Sequence, residues 1–132
     1  MEASLRSLVV DDSRAMRMIL RRILSQVGYS VTEAGDGVEA LAALTEPGEL
    51  PVLALIDWNM PNMNGLDLIK EIRRRPEYSR MTLMMVTTEG EQAQIVRALA
   101  AGAHEYVIKP FTPDAILEKL ELLGVLPMAV AE

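Results

Sequence analysis

The sequence predicts a doubly wound α/β domain, a five-stranded parallel sheet of order 2-1-3-4-5 with helices on both faces. Three observations predict it. Strand-like and helix-like segments alternate five times along the chain, as right-handed β-α-β crossovers require. The middle strand, Val52-Leu53-Ala54-Leu55-Ile56, is an unbroken apolar run, the signature of a strand buried on both faces. The length of 132 residues, 50% hydrophobic and 24% charged, suits one domain with a proper core.

The elements follow in order. Leu5 to Val10 is a short strand with an apolar finish, ending on Asp11-Asp12. Ser13 to Val27 carries Met16, Ile19, Leu20, Ile23, Leu24 and Val27 at helical spacing, with Arg14, Arg17, Arg21 and Arg22 mostly on the other side. Asp12 or Ser13 can cap its start, and Gly28 its end. Tyr29 to Ala34 alternates as a second strand. Gly35-Asp36-Gly37 then turns the chain into a weaker helix carrying Val38, Leu41, Ala42 and Leu44, ended by Pro47-Gly48. After the middle strand, Pro61 stops ladder pairing and Asn64 can cap a helix over Gly65 to Arg74, with Leu66, Ile69 and Ile72 inward and Pro76 as its stop. Met81 to Thr87 is a buried strand, and Glu91 to Ala101 a helix with Ile95, Val96 and Leu99 as its apolar residues, closed by Gly102. Glu105 to Ile108 is the last strand. Thr112 or Asp114 opens a final helix with Ile116, Leu117, Leu120 and Leu123 as its core face. The expected domain is 1–124, followed by a tail, 125–132, apolar but without a clear period.

Composition narrows the functions. The formal charge of -6 argues against direct nucleic-acid binding, which needs a basic footprint. No apolar stretch approaches the ~18 residues that span a bilayer, and no leader pattern opens the chain. With Cys at 0, disulfides and thiolate metal sites are excluded and a cytoplasmic home is expected.

Open α/β sheets bind their ligands outside the carboxyl ends of the strands, at the point where strand order reverses. Order 2-1-3-4-5, the flavodoxin-like one, brings Asp11, Asp12 and Asp57 together there, flanked by Thr87 and Lys109 from the fourth and fifth strands. Two such carboxylates at ~4 Å repel by about 4 kcal/mol at an effective dielectric of ~20, which protonation or a cation relieves. All-oxygen ligands select a hard ion, Mg2+ in a cell. A carboxylate nucleophile, a divalent ion, a lysine and a hydroxyl are the parts needed to form and hold an aspartyl phosphate. Each part alone has a plainer reading: Asp11 and Asp12 as helix caps, Asp57 and Thr87 as turn residues, Lys109 as a solvated edge lysine, Tyr106 as a half-buried strand aromatic. Their joint placement at the ends of four strands is what turn chemistry does not require. His104 has no acidic or nucleophilic partner at short spacing and reads as a surface histidine. The arginines of the first helix read as a solvated face that can also dock an acidic kinase surface.

The set Asp11-Asp12, Asp57-Trp58-Asn59-Met60-Pro61 with Gly65, Thr87 and Lys109-Pro110 resembles the receiver domain of two-component response regulators, over essentially the whole chain. Within that family the likeness is greatest to the single-domain, CheY-like chemotaxis regulators. The resemblance implies that Asp57 accepts a phosphoryl group from a histidine kinase. It implies Mg2+ held by Asp12, Asp57 and the carbonyl of Asn59, with Asp11 holding the ion's waters, and Lys109 paired to a phosphoryl oxygen. Thr87 would turn toward that group and vacate space for Tyr106, remodelling the face of the fourth helix, fifth strand and fifth helix for a downstream protein target. Lys109-Pro110 would be a cis peptide, and Asn59 and Glu89 would influence the attacking water. Four positions depart from the pattern. Thr88 stands where a small residue is usual and narrows access to the site; Gly90 loosens the next loop. Gln92 is neutral where the chemotaxis regulators are basic, and Asn64 replaces Asp as a cap.

Competing classes fare worse. A flavin or nucleotide carrier needs a loop of backbone donors after the first strand, where this chain has two acids. A phosphohydrolase with a nucleophilic Asp commonly has a second acid two residues on, and here that residue is Asn59. A relay intermediate, a phosphate sink and a phosphorylation-independent docking module remain as alternatives to a chemotaxis switch.

Overall fold

The computed structural model describes residues 5–126. Its strands are β1 (Leu5–Val10), β2 (Tyr29–Ala34), β3 (Leu53–Ile56), β4 (Thr82–Thr87) and β5 (Glu105–Ile108), and its helices α1 (Arg14–Gln26), α2 (Gly37–Leu44), α3 (Gly65–Arg73), α4 (Gln92–Ala101) and α5 (Pro113–Leu122). All strand pairs are parallel and the order is β2-β1-β3-β4-β5, as the alternation predicts. Because side chains alternate across a strand, the sheet feeds two cores. Leu8, Val10, Ala54, Ile56, Leu83 and Met85 face α2, α3 and α4. Val9, Leu53, Leu55, Met84 and Val86 face α1 and α5.

Local chemistry sets the helix starts. Ser13 rather than Asp12 caps α1, accepting from Met16 N at 3.1 Å. Asp36, Asn64 and Thr112 cap α2, α3 and α5 in the same way. This leaves Asp12 free of capping duty. Pro76 does more than stop α3: it opens a 3-10 turn, Pro76–Tyr78, that buries Tyr78.

Several apolar residues fall on the opposite side from the one their spacing predicts. Ile19 on α1 and Val38 on α2 are exposed, and α2 packs through the expected Leu44 together with Gly37 and Ala40, small residues that bring it close to the sheet. On α4 only Ala98 is buried; Val96 and Leu99 face outward. The beginning of the tail is ordered against the second core: Val125 N donates to Leu120 O at 3.0 Å, and the Tyr29 hydroxyl donates to Val125 O. Burial pushes the Tyr29 pKa up to about 12. The remaining tail residues named above, including Met128 and Val130, lie outside the described residues.

The end of the sheet away from the acids is pinned by Arg73. Its guanidinium donates to Gly102 O (3.0 and 3.1 Å) and Met81 O (2.9 Å), tying α3 to β4 and to the turn before β5. His104, exposed as its surroundings in the sequence predict, has a structural part that the sequence did not signal. Its main-chain N–H donates to Leu83 O at 2.7 Å, and its ring Nδ1 accepts from Leu83 N at 3.1 Å. Nδ1 must be the unprotonated nitrogen, since both its neighbours, Leu83 N and Arg73 Nη2, are donors. Partial burial and the Arg73 charge hold the His104 pKa below its usual value. A base with a depressed folded pKa contributes stability that is complete above the unfolded pKa, about 6.5, and is lost as pH falls through the folded value. Urea unfolding is therefore expected to show stability declining from pH 7 to 5.5, and His104→Gln should flatten that window.

Candidate functional site

Four strand ends build the site. The ladder carries one residue past β1 and β3: Asp11 N donates to Ala34 O at 3.1 Å, and Asp57 N to Val10 O at 2.9 Å. Both acids are therefore held as rigidly as the sheet, and both are buried, Asp11 at 1% exposure and Asp57 at 8%. Asp12, one residue on, is exposed. One carboxylate oxygen from each of the three lies within 4.8 Å of the others. Lys109, at the end of β5, reaches across with Nζ 2.8 Å from Asp11 Oδ2 and 3.4 Å from Asp57 Oδ2. Its bond to Pro110 is cis.

The remaining valences are assigned. Asp57 Oδ1 accepts from Trp58 N at 2.7 Å, which leaves Oδ2 turned toward Lys109. Asp11 Oδ1 accepts from Ser13 N at 2.9 Å. One lysine against three carboxylates leaves an excess of negative charge at the strand ends. An oxygen-only donor set of this sign and spacing fits a hard divalent cation such as Mg2+. Beside it lies an open depression lined by Asp12, Asn59, Met60, Pro61 and Asn64.

The second half of the site is a latch. Thr87 is fully buried at the end of β4, and its Oγ1 accepts weakly from Glu89 N at 3.4 Å. Tyr106 is turned inward, 8% exposed, and its hydroxyl donates to Glu89 O at 2.6 Å. Burial, then the charges of Glu89 and Asp57, raise the Tyr106 pKa. Glu89 in turn accepts from Asn59 Nδ2 at 3.1 Å, so the loop after β4 is joined to the loop after Asp57. Thr88 is exposed at this rim. Asp11, Asp12, Asp57, Asn59, Thr87, Glu89, Tyr106 and Lys109 thus meet at one end of the sheet, and His104 lies at the other.

Three supports stand behind the site: Gly65 was named from the sequence without this contact, and the parts of Asn62 and Arg17 were missed. Gly65 begins α3 directly over the Asp57 peptide, where a Cβ would stand 2.1 Å from Asp57 O. Asn62 takes a left-handed turn, φ 67°, and donates to Asp36 Oδ2 at 2.6 Å, fastening the loop that carries Asn59 and Pro61. Arg17 reaches the Asp11 main chain. Only the Asn and Gly types carried a local signal; long-range contacts set their partners.

A protein-family model described as the response regulator receiver domain matches residues 7–121. The chain belongs to that family. Among curated relatives it is 50% identical over 115 residues to a chemotaxis protein CheY homolog of Campylobacter jejuni, covering 86% of this chain and 88% of that one. It is 48% identical over 117 residues to the chemotaxis protein CheY1 of Helicobacter pylori, covering 88% and 94%. Among solved structures, the chemotaxis protein CheY4 of Vibrio cholerae superposes with a TM-score of 0.83 at 33% identity, covering 91% of this chain and 98% of that one. A CheY-like receiver domain from Methanospirillum hungatei gives 0.81 at 34% identity, covering 92% and 94%. The receiver fold is thus established for this chain both by sequence and by shape. No helix among the described residues is long and apolar enough to cross a membrane.

Gly65→Ala forces the Asp57 peptide to move. We expect it to cost upwards of about 2 kcal/mol, read as a lower urea midpoint, together with a shifted Trp58 emission.

Proposed function

We propose that this receiver is a phosphorylation switch of the chemotaxis type. Asp57 accepts a phosphoryl group from a histidine kinase, and the modified chain changes its binding to a protein target. The observation that carries the reading is the placement of Asp57 Oδ2 opposite Lys109, with Oδ1 already held by Trp58 N. That leaves one oxygen oriented to attack. The new bond joins this oxygen to phosphorus as the donor's P–N bond breaks and its imidazole leaves. Lys109 is placed to pair with a phosphoryl oxygen, and Thr87 to offer a hydroxyl.

Asp12, Asp57 and the Asn59 carbonyl would hold Mg2+, and Asp11 its waters. Bound there, the ion supplies charge neutralisation for the transferring oxygens. A phosphoryl group adds about two negative charges beside the Thr87–Glu89–Tyr106 latch. The Glu89 carbonyl that receives Tyr106 and the carboxylate that receives Asn59 belong to one residue, so a change at the rim bears on both bonds. Tyr106 and the exposed Ile108 lie on β5, α4 beside it turns Val96 and Leu99 outward, and this is the face we assign to the target. The CheY names of the relatives support chemotaxis as the pathway. A cytoplasmic site of action follows from the kinase donor. The charge of -6 gives no support to direct nucleic-acid binding.

Trp58, the only tryptophan, adjoins Asp57 and reports on it. Its emission is expected to change on Mg2+ addition and again on addition of a small-molecule phosphoryl donor, with the second change absent in Asp57→Asn. A second change that persists in the variant would contradict the reading. Lys109→Met should bind Mg2+ at least as tightly as the wild type, because a competing cation is gone, yet lose the donor-dependent step. Titration of Trp58 emission measures both.

A further inference from the structure

A buried carbonyl at the end of β1 needs a donor that the backbone does not supply. Asp11 N–H continues the ladder to Ala34, but the Asp11 carbonyl points out of it, past the last paired residue of β1. A carbonyl on a 1% exposed residue costs free energy unless it is paired. Arg17 pairs it: Nη1 donates to Asp11 O at 2.7 Å. The same guanidinium donates through Nε to Glu33 Oε1 on β2 at 2.9 Å, and Arg21, one helical turn on, takes Glu33 Oε2 at 2.6 Å. Arg17 and Glu33 are both largely shielded, with side chains 19% and 23% exposed. Hydrogen bonding to Arg21, then Arg17, holds the Glu33 carboxyl below the usual carboxylate range.

The peptide fixed in this way is the one joining Asp11 to Asp12. Asp12 is exposed, does not cap α1, and has no ion pair among the described residues. What directs its carboxylate toward the other two is the orientation of its own backbone. We propose that Arg17, anchored by Glu33, is a positioning residue for the divalent-cation site: it fixes the Asp11–Asp12 peptide and so makes Asp12 converge with Asp11 and Asp57. This rests on the metal reading above. A planar fork is needed, since one end must hold Glu33 while another holds the carbonyl.

The test exploits opposite signs. As a mere positive charge near an acidic site, Arg17 opposes cation binding, so Arg17→Met would tighten Mg2+ and Arg17→Lys would leave it unchanged. As a positioning residue it favours binding, so Arg17→Met should weaken Mg2+ about tenfold, the scale of outer-shell partners of metal ligands. Arg17→Lys should weaken it in the same direction, because the ammonium cannot fork. Mg2+ alone is titrated against Trp58 emission and by calorimetry, with urea curves confirming that each variant is folded under the conditions used. Asp12→Asn serves as the reference for a lost ligand. Unchanged or tighter binding in folded Arg17→Met, with wild type binding and Asp12→Asn impaired, overturns the Arg17 proposal alone. Absence of Mg2+ binding by the wild type overturns the metal reading beneath it.

Discussion

Two buried carboxylates held by backbone ladder bonds, with one lysine between them, are the constraint on which the rest depends. Asp11 and Asp57 cannot move away from each other without breaking the sheet that carries them. At the Asp11 contact of 2.8 Å and the Asp57 contact of 3.4 Å, Lys109 offsets part of their repulsion. The compensation is incomplete while Asp12 stands beside them. The site is therefore built to gain a further positive charge, and its fit to a hard cation is a consequence of fold rather than of a flexible loop closing around an ion.

The surroundings serve to keep that geometry. Gly65 lets α3 start in van der Waals contact with the Asp57 peptide, and Asn62 ties the intervening loop to the cap of α2. Cation–π contact between Arg97 and Trp58, at 5.9 Å to the ring centroid, adds a link from α4 to the residue after Asp57. The latch of Glu89 with Asn59 and Tyr106 is looser, made of side chains and one carbonyl on a loop. Rigid acids beside an adjustable loop are what a modification-driven switch requires.

The sheet order and the meeting of Asp11, Asp12, Asp57, Thr87 and Lys109 were legible in the sequence because both follow from strand alternation and from the rule for ligand position in open sheets. Helix faces were less so. Ala40 and Ala98 carry the inward faces of α2 and α4, and small residues give a weak hydropathy signal, so Val38, Val96 and Leu99 drew the prediction to the wrong side. Arg17 read as solvated because arginine usually is, and Arg73 gave no signal at all; their partners are main-chain carbonyls brought near by tertiary folding, which no local pattern encodes. His104 escaped for the same reason, its acceptor nitrogen serving a neighbouring strand.

Asp57 as the residue that is modified is the centre of the proposed switch. The most direct measurement is fragment mass spectrometry of the chain after brief incubation with Mg2+ and a small-molecule phosphoryl donor, with reductive trapping of acyl phosphates. One trapped carboxyl is expected, at Asp57, and none when Mg2+ is chelated. A phosphoryl group located on any other residue, or a mass unchanged with both Mg2+ and a cognate kinase present, would contradict it.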